Sequence, residues 1–255
     1  MMDTKDILAI DVHSHYNYGS SFDTNTTDIN EASLTHIQNM YNAANIKRSF
    51  LSPFSAVCSS QNICEDNAYH FELAQELDWV YQWVVIDPRN SETFKQARQM
   101  LHHPKCVGIK IHPTYHSYSI QDYAAKIFSF AAEFGSVVLM HPDKPAEMPA
   151  ILDYFPEVKL IIAHLGSIEH IEAIKDAKHG NIYTDTSGNA SVKNKIIEYA
   201  VEQIGSEHIL FGTDSYAAGF QRGRIEYALI SDEAKMNILR NNALNLFRNQ
   251  LTEVL

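Results

Sequence analysis

The residues of this 255-residue sequence best suited to chemistry are histidines, and they gather where short apolar runs stop. Asp11-Val12-His13-Ser14-His15 carries two imidazoles two residues apart, and in an extended strand such residues share a face. Both can then bind one ion, since neutral imidazole suits zinc and its neighbours at about 2.0–2.1 Å for Zn–N. A lone HxH pair is equally compatible with two polar loop histidines. Recurrence is the stronger signal: His141 follows the run 136–140, His164 follows 158–163 and Asp214 follows 209–212. Singly, each of these histidines reads as a hydrogen-bonded structural residue and Asp214 as an N-cap or loop carboxylate. As a set closing the first, fifth, sixth and eighth apolar runs, the five point to a metal site.

Eight β-branched apolar runs must position these groups: 7–11, 46–51, 80–86, 106–111, 136–140, 158–163, 181–184 and 209–212. Amphipathic stretches lie between them, such as Leu34, Ile37, Tyr41 and Ala44, or Met236, Leu239, Ala243, Leu246 and Phe247, at the spacing of one-sided helices. Eight strand–helix units in one modest chain predict a closed (β/α)8 TIM barrel of the α/β class, with residues 1–255 as a single domain. An open doubly wound sheet would give no reason for eight units. Ser52-Pro53, Asp87-Pro88, His112-Pro113 and His141-Pro142 mark carboxyl ends of strands, because proline cannot continue a ladder. In a closed barrel those ends carry the active site, which places His112 and His141 at the functional rim. Thr24-Asn25-Thr26-Thr27 reads as part of the first βα loop, and Ser231 as the N-cap of a last helix with Asp232 and Glu233 in its first turn.

The whole pattern resembles the amidohydrolase superfamily, in the amidohydrolase-related branch that includes aminocarboxymuconate-semialdehyde decarboxylase-like enzymes. The resemblance rests on Asp11-Val12-His13-Ser14-His15, Val85-Ile86-Asp87-Pro88, Gly108-Ile109-Lys110-Ile111-His112-Pro113, Ala163-His164-Leu165-Gly166, Phe211-Gly212-Thr213-Asp214-Ser215 and Asn242-Ala243-Leu244-Asn245-Leu246-Phe247. It covers nearly the whole chain. It implies His13, His15, His141 and Asp214 around a divalent metal, zinc first and manganese second, with His164 as a catalytic histidine beside them. A bound divalent ion lowers the pKa of water toward about 7; Asp214 would take and return that water's proton, and His164 would polarise a carbonyl or steady an oxyanion.

Other residues admit two roles. Asp185, in Tyr183-Thr184-Asp185-Thr186-Ser187-Gly188, is a rival ligand but fits better as a partner orienting a ligating histidine. Lys110 and His112 share a strand face. In some members of the wider superfamily a lysine here is carboxylated and bridges two ions; one ion, with Lys110 and His112 facing substrate, is the preferred expectation. Tyr16, Tyr18, Tyr115, Tyr118 and Tyr216 follow strand ends and are candidates to line the substrate pocket, Tyr16 first among them. Gly219-Phe220-Gln221-Arg222-Gly223-Arg224 would either hold an anionic group or simply lead into the last helices.

Composition narrows the function classes. Lys and Arg total 20 against 31 Asp and Glu, a formal charge of −11, which disfavours nucleic acid as a partner. The polar start and short apolar run 7–10 suit neither a signal peptide nor a membrane span. Cys58, Cys64 and Cys106 lack the spacing of a disulfide or thiolate–zinc framework, so the expected location is the cytoplasm. A small-molecule substrate is expected, with homo-oligomerisation open. The preferred function is a hydrolase using metal-bound hydroxide on a C–N or ester-type bond. Its rival is a nonoxidative decarboxylase of a small carboxylic acid on the same site, disfavoured because a short chain leaves less room for loops that enclose aromatic acids. A noncatalytic metal-binding protein is the contrasting class, against which His164 and Lys110 speak as extra inward polar groups.

Overall fold

A computed structural model describes residues 4–16, 33–215 and 217–251. The strands are β1 (Ala9–Tyr16), β2 (Ile46–Pro53), β3 (Val80–Val85), β4 (Cys106–Ile111), β5 (Val137–Met140), β6 (Lys159–Ile162), β7 (Ile182–Asp185) and β8 (Ile209–Leu210). They pair in parallel in sequence order from β1 to β8. Helices follow the strands: α1 (Leu34–Ala43), α2 (Phe54–Cys58), α3 (Ile63–Glu76), α4 (Ser91–Met100), α5 (Ile120–Glu133), α6 (Met148–Leu152), α7 (Ile168–Asp176), α8 (Ile196–Ile204), α9 (Ala218–Glu226), α10 (Asp232–Met236) and α11 (Asn242–Leu246). This is the expected (β/α)8 barrel. The Thr24–Thr27 run, Tyr18 and Tyr216 lie outside the described residues. Among the described residues no helix is long and apolar enough to cross a membrane.

The local signals act where they were expected. Ser33 caps α1 by accepting from the His36 N–H, and Ile37 and Tyr41 are its buried face. Ser231 caps α10 in the same way through Ala234. From α10 the chain passes through a π turn (Asn237–Asn241) into α11, and Ala243 and Phe247 join the apolar cluster inside the barrel. There Phe247 packs edge-on to Phe50 and Trp83, at 4.9 and 5.6 Å between ring centroids. Trp83 donates its indole N–H to the Val12 carbonyl at 2.8 Å. Gly108 makes room for it, because a Cβ there would lie 2.7 Å from the Trp83 ring. This aromatic plug is the floor beneath the site.

Closure of the barrel is irregular, and the irregularity shapes the site. Asp11 pairs with Ser49 and Ser14 with Leu51, so β1 takes three steps where β2 takes two. The extra residue is a β-bulge. Strict alternation would put Asp11 on the face of His13; instead Val12 joins the interior cluster, and Asp11 and Ser14 both meet Tyr41 of α1 on the helix side. At the β8–β1 seam Val12 N–H donates to Phe211 O at 2.9 Å, and Thr213 and Asp214 N–H both reach His13 O, at 3.1 and 2.7 Å. The strand signal ran through 212, but β8 stops at Leu210 because the backbone turns toward the left-handed conformation of Asp214 and Ser215, φ 56° and 63°. Conversely, β1 runs past its apolar run to Tyr16, since buried partners satisfy its polar side chains.

Candidate metal centre

His13 and His15 point into the barrel mouth from β1, and the loop after β8 brings Asp214 against them. One ligand atom from each of His13, His15 and Asp214 lies within 4.8 Å of the others. Asp214 Oδ1 stands 3.1 Å from His15 Nε2 and 3.8 Å from His13 Nε2. Both Nδ1 atoms are already committed elsewhere. His13 Nδ1 faces Asp185 Oδ2 at 2.9 Å and Ser187 Oγ at 3.0 Å, and His15 Nδ1 faces Ser52 Oγ at 2.8 Å. An ionised carboxylate accepts only, so it fixes the proton of His13 on Nδ1 and leaves the Nε2 lone pair directed into the mouth.

A second trio, His13, His164 and Asp185, also falls within 4.8 Å. Ser187 Oγ fills its centre, 3.0 Å from His13 Nδ1 and 2.9 Å from His164 Nδ1, and donates to Asp185 Oδ1. This trio is therefore a hydrogen-bonded knot, and the trio holding Asp214 is the one with ligand atoms to spare. Asp185 also accepts from the Ser187 N–H at 2.9 Å and the His164 N–H at 3.3 Å. It is the orienting partner expected from the sequence, tied to His13.

Burial lowers the proton affinity of the imidazoles: desolvation, with Lys110 nearby, brings His13 down to about 3, and desolvation with the His164 and Lys110 charges brings His141 to about 4. Desolvation likewise moves His15 and His112 below the usual range. Burial alone would raise both carboxyls, yet His13 and Ser187 hold Asp185, and His15 and His13 hold Asp214, well below the ordinary carboxylate range. Neutral imidazoles beside ionised carboxylates are the protonation states a divalent cation requires.

His141 takes a different place from the other candidate ligands. Its ring stacks on His112 at 4.4 Å and lies 5.0 Å from that of His164. Its Nδ1 is buried without a hydrogen-bond partner among the described residues, an orphan acceptor or donor of the kind a missing ligand explains. His13, His15 and Asp214 thus form a donor set that fits a divalent ion, and His141 stands beside His164 with a free ring nitrogen.

Lys110, expected to face substrate, is buried at the centre of the site, with Nζ 3.0 Å from His13 Nε2 and its amine brought down to about 8 by burial. His112 does sit at the rim, stacked between His141 and the half-exposed Tyr115, at 4.4 and 4.1 Å. Tyr16 does not line the site. It alternates with His15 and packs outward with the helix-side apolar clusters and His70. Tyr118 is buried under Arg89. Arg222 and Arg224 are engaged within the chain: Arg222 binds Glu226 and the Thr4, Lys5 and Asn45 carbonyls, and Arg224 binds Thr186 O, Ser191 and Gln221.

Sequence reasoning missed the groups that steer the histidines, namely Ser52, Ser187 and Gly188. Gly188 has φ 72°, and a Cβ there would sit 2.8 Å from both Asp214 Oδ2 and His164 Nδ1, so only glycine fits. The small polar string after β7 was the available signal. Cys58, at the end of α2, was also overlooked; burial pushes its thiol up to about 12, with Lys110 and Asp214 acting on it electrostatically. His164, like Asp214, has a left-handed backbone, φ 62°, a strain that collects at functional sites.

Comparison with known proteins agrees with the fold. The family model described as Amidohydrolase matches residues 10–248. Among solved structures, 2,6-dihydroxybenzoate decarboxylase from Rhizobium superposes with a TM-score of 0.74 at 14% identity, covering 94% of this chain and 98% of that one. A dihydroxybenzoic acid decarboxylase from Polaromonas sp. JS666, with bound manganese and the inhibitor 2-nitroresorcinol, gives 0.72 at 16%, covering 96% and 98%. A Pseudomonas putida protein assigned as a 2-pyrone-4,6-dicarboxylic acid hydrolase gives 0.71 at 16%, covering 96% and 99%.

Proposed function

The chain belongs to the amidohydrolase family, and we propose that within it this protein is a divalent-metal enzyme that decarboxylates a small carboxylic acid without oxidation. The observation that carries this reading is the charge balance of the mouth. Lys110, buried with its amine 3.0 Å from His13 Nε2, and a bound divalent ion would together outweigh the two carboxylates, Asp185, which His13 and Ser187 bind, and Asp214, which has 17% of its side chain exposed. Such a pocket suits an anionic substrate. The decarboxylases among the similar structures support the same choice. The objection from chain length weakens, because the superposition spans 98% of the Rhizobium enzyme's chain.

His13, His15, His141 and Asp214 would hold one zinc or manganese ion. When bound, it would supply Lewis acidity, polarising an oxygen of the substrate. The remaining work falls to this chain. Lys110 and His112 orient the carboxylate, and the aromatic floor excludes water from below. The carbon–carbon bond to the carboxylate breaks, carbon dioxide leaves, and the electron pair left on carbon takes a proton. Asp214, held ionised, would first take that proton from water or from an acidic substrate hydroxyl and then pass it to carbon: Oδ1 faces the histidines, while Oδ2 lies over Gly188. Hydrolysis is the second reading, favoured by the hydrolase-assigned relative; there Asp214 takes a proton from water.

The test is a panel of small carboxylic acids, lactones and amides, assayed with Mn2+- or Zn2+-reconstituted protein in D2O enriched in heavy oxygen. Release of carbon dioxide with deuterium at carbon is expected. Solvent oxygen in the organic product would transfer the assignment to hydrolysis.

A further inference from the structure

Asp11 is completely buried, and none of the ion pairs among the described residues involves it. Four donors surround it instead. Oδ1 accepts from the backbone N–H groups of His13 and Thr213, both at 3.1 Å. Oδ2 accepts from the Tyr41 hydroxyl at 2.8 Å and the Thr213 hydroxyl at 2.6 Å. Two of these donors belong to Thr213, next to Asp214, and one is the amide of His13 itself. The network continues through Tyr41 to Ser14 at 2.9 Å and from Ser14 to Ser215 at 3.0 Å, and Ser215 Oγ receives the His15 N–H at 2.8 Å.

This carboxylate stands where the ladder fails. β8 contributes only two residues to the sheet, and the bulge shifts β1 out of step. Beyond Leu210 regular pairing gives way to isolated backbone hydrogen bonds, from Val12 N–H to Phe211 O and from Thr213 and Asp214 N–H to His13 O, and the segment must hold the left-handed Asp214 and Ser215. An acceptor reaching from the helix side of β1 fixes both edges at once. We propose that Asp11 is a positioning residue, whose side chain clasps bulged β1 to the segment after β8 and so holds His13 and Asp214 in register for a shared cation. The proposal rests on the metal reading above and extends it to a residue that touches neither ion nor substrate. What matters is acceptor geometry rather than charge. Asparagine can keep its oxygen on the two N–H donors and turn its amide toward the two hydroxyls, which can accept as well as donate; alanine cannot.

The experiment compares Asp11→Ala, Asp11→Asn, Tyr41→Phe and Ile127→Ala, the last a cavity in the outer apolar layer. Mn2+ affinity is measured by calorimetry at a temperature where circular dichroism shows each variant folded, and hydrogen exchange at Thr213 and Asp214 is followed without metal. Asp11→Ala should weaken Mn2+ binding about tenfold or more, as loss of a group orienting a ligand does, and speed exchange at both amides. Asp11→Asn should restore both to within about threefold of wild type. Tyr41→Phe, which keeps the ring and folds if Asp11→Ala does not, should fall between them. Ile127→Ala should lower thermal stability without changing Mn2+ affinity. Wild-type affinity in Asp11→Ala, or equal weakening in Ile127→Ala, overturns the proposal. Wild-type protein that binds no Mn2+ overturns the metal reading instead; the exchange result then decides alone whether Asp11 holds the seam.

Discussion

Replacing Asp185 by asparagine would change His13 without changing its shape. Oδ1 of Asp185 accepts from the Ser187 N–H, the Ser187 hydroxyl and the His164 N–H, while Oδ2 faces His13 Nδ1 at 2.9 Å. An asparagine must therefore keep its oxygen toward the first group and turn its NH2 toward His13. The reverse flip would set a donor against three donors. Facing an NH2, His13 can pair with residue 185 only by accepting at Nδ1, which moves its own proton to Nε2. That atom is the one directed at Asp214 and Lys110, and a protonated Nε2 cannot bind an ion. Holding the metal-binding tautomer instead leaves two buried donors face to face, a cost of about 1–3 kcal/mol. That converts to roughly 5–150-fold in affinity, consistent with the roughly 10–100-fold loss general for groups that orient metal ligands. Calorimetric titration of metal-free wild type and Asp185→Asn with Mn2+ measures the loss, and 15N spectra of the histidine rings identify the tautomer. An unchanged dissociation constant in Asp185→Asn, with His13 still protonated on Nδ1, would refute the reasoning.

His164→Asn should abolish turnover yet keep most of the metal, whereas His141→Asn should empty the site; elemental analysis of the two proteins checks this, and the opposite pattern exchanges their roles. Lys110→Ala should retain one ion per chain and mainly raise KM for an anionic substrate, with activity independent of bicarbonate during reconstitution; loss of a whole ion would instead mark Lys110 as a carboxylated bridge between two metals. The metal-free protein should also be acid-labile. His13 and His70 are both brought down by burial to about 3, so each binds a proton in the unfolded chain below about pH 6.5 but not in the folded one. Their contribution is complete above that pH and is lost as pH falls toward 3. Between pH 7.5 and 5.5 the pair should cost about 3 kcal/mol of stability, read as a fall in the urea midpoint with constant slope.

The barrel was legible because its signals are local. Each of the eight apolar runs carries its own strand pattern, each intervening stretch its own 3.6-residue period, and the prolines after Ser52, His112 and His141 mark strand ends within a few residues. Spacing within one strand likewise placed His13 and His15 on a common face. These properties depend on backbone stereochemistry and on residues close in sequence, so the chain alone determines them.

What the tertiary structure decided depends on partners far apart in the chain. Asp185 meets His13 across 172 residues, Thr213 meets Asp11 across 202, and Lys110 meets His13 across 97. No periodicity encodes such pairings. The bulge that turns Asp11 away from His13, and with alternation sends Tyr16 outward, follows from fitting β1 to β2 and to a short β8. The left-handed turns at His164 and Asp214 persist because Gly188 leaves room beneath them and the seam hydrogen bonds outweigh their strain. The sequence by itself therefore determined that His13, His15, His112, His141, His164 and Asp214 lie at or just beyond strand ends. Only closure of the barrel decided which nitrogen of each histidine faces inward, because that is set by whichever hydrogen-bond partner the fold delivers to the other nitrogen.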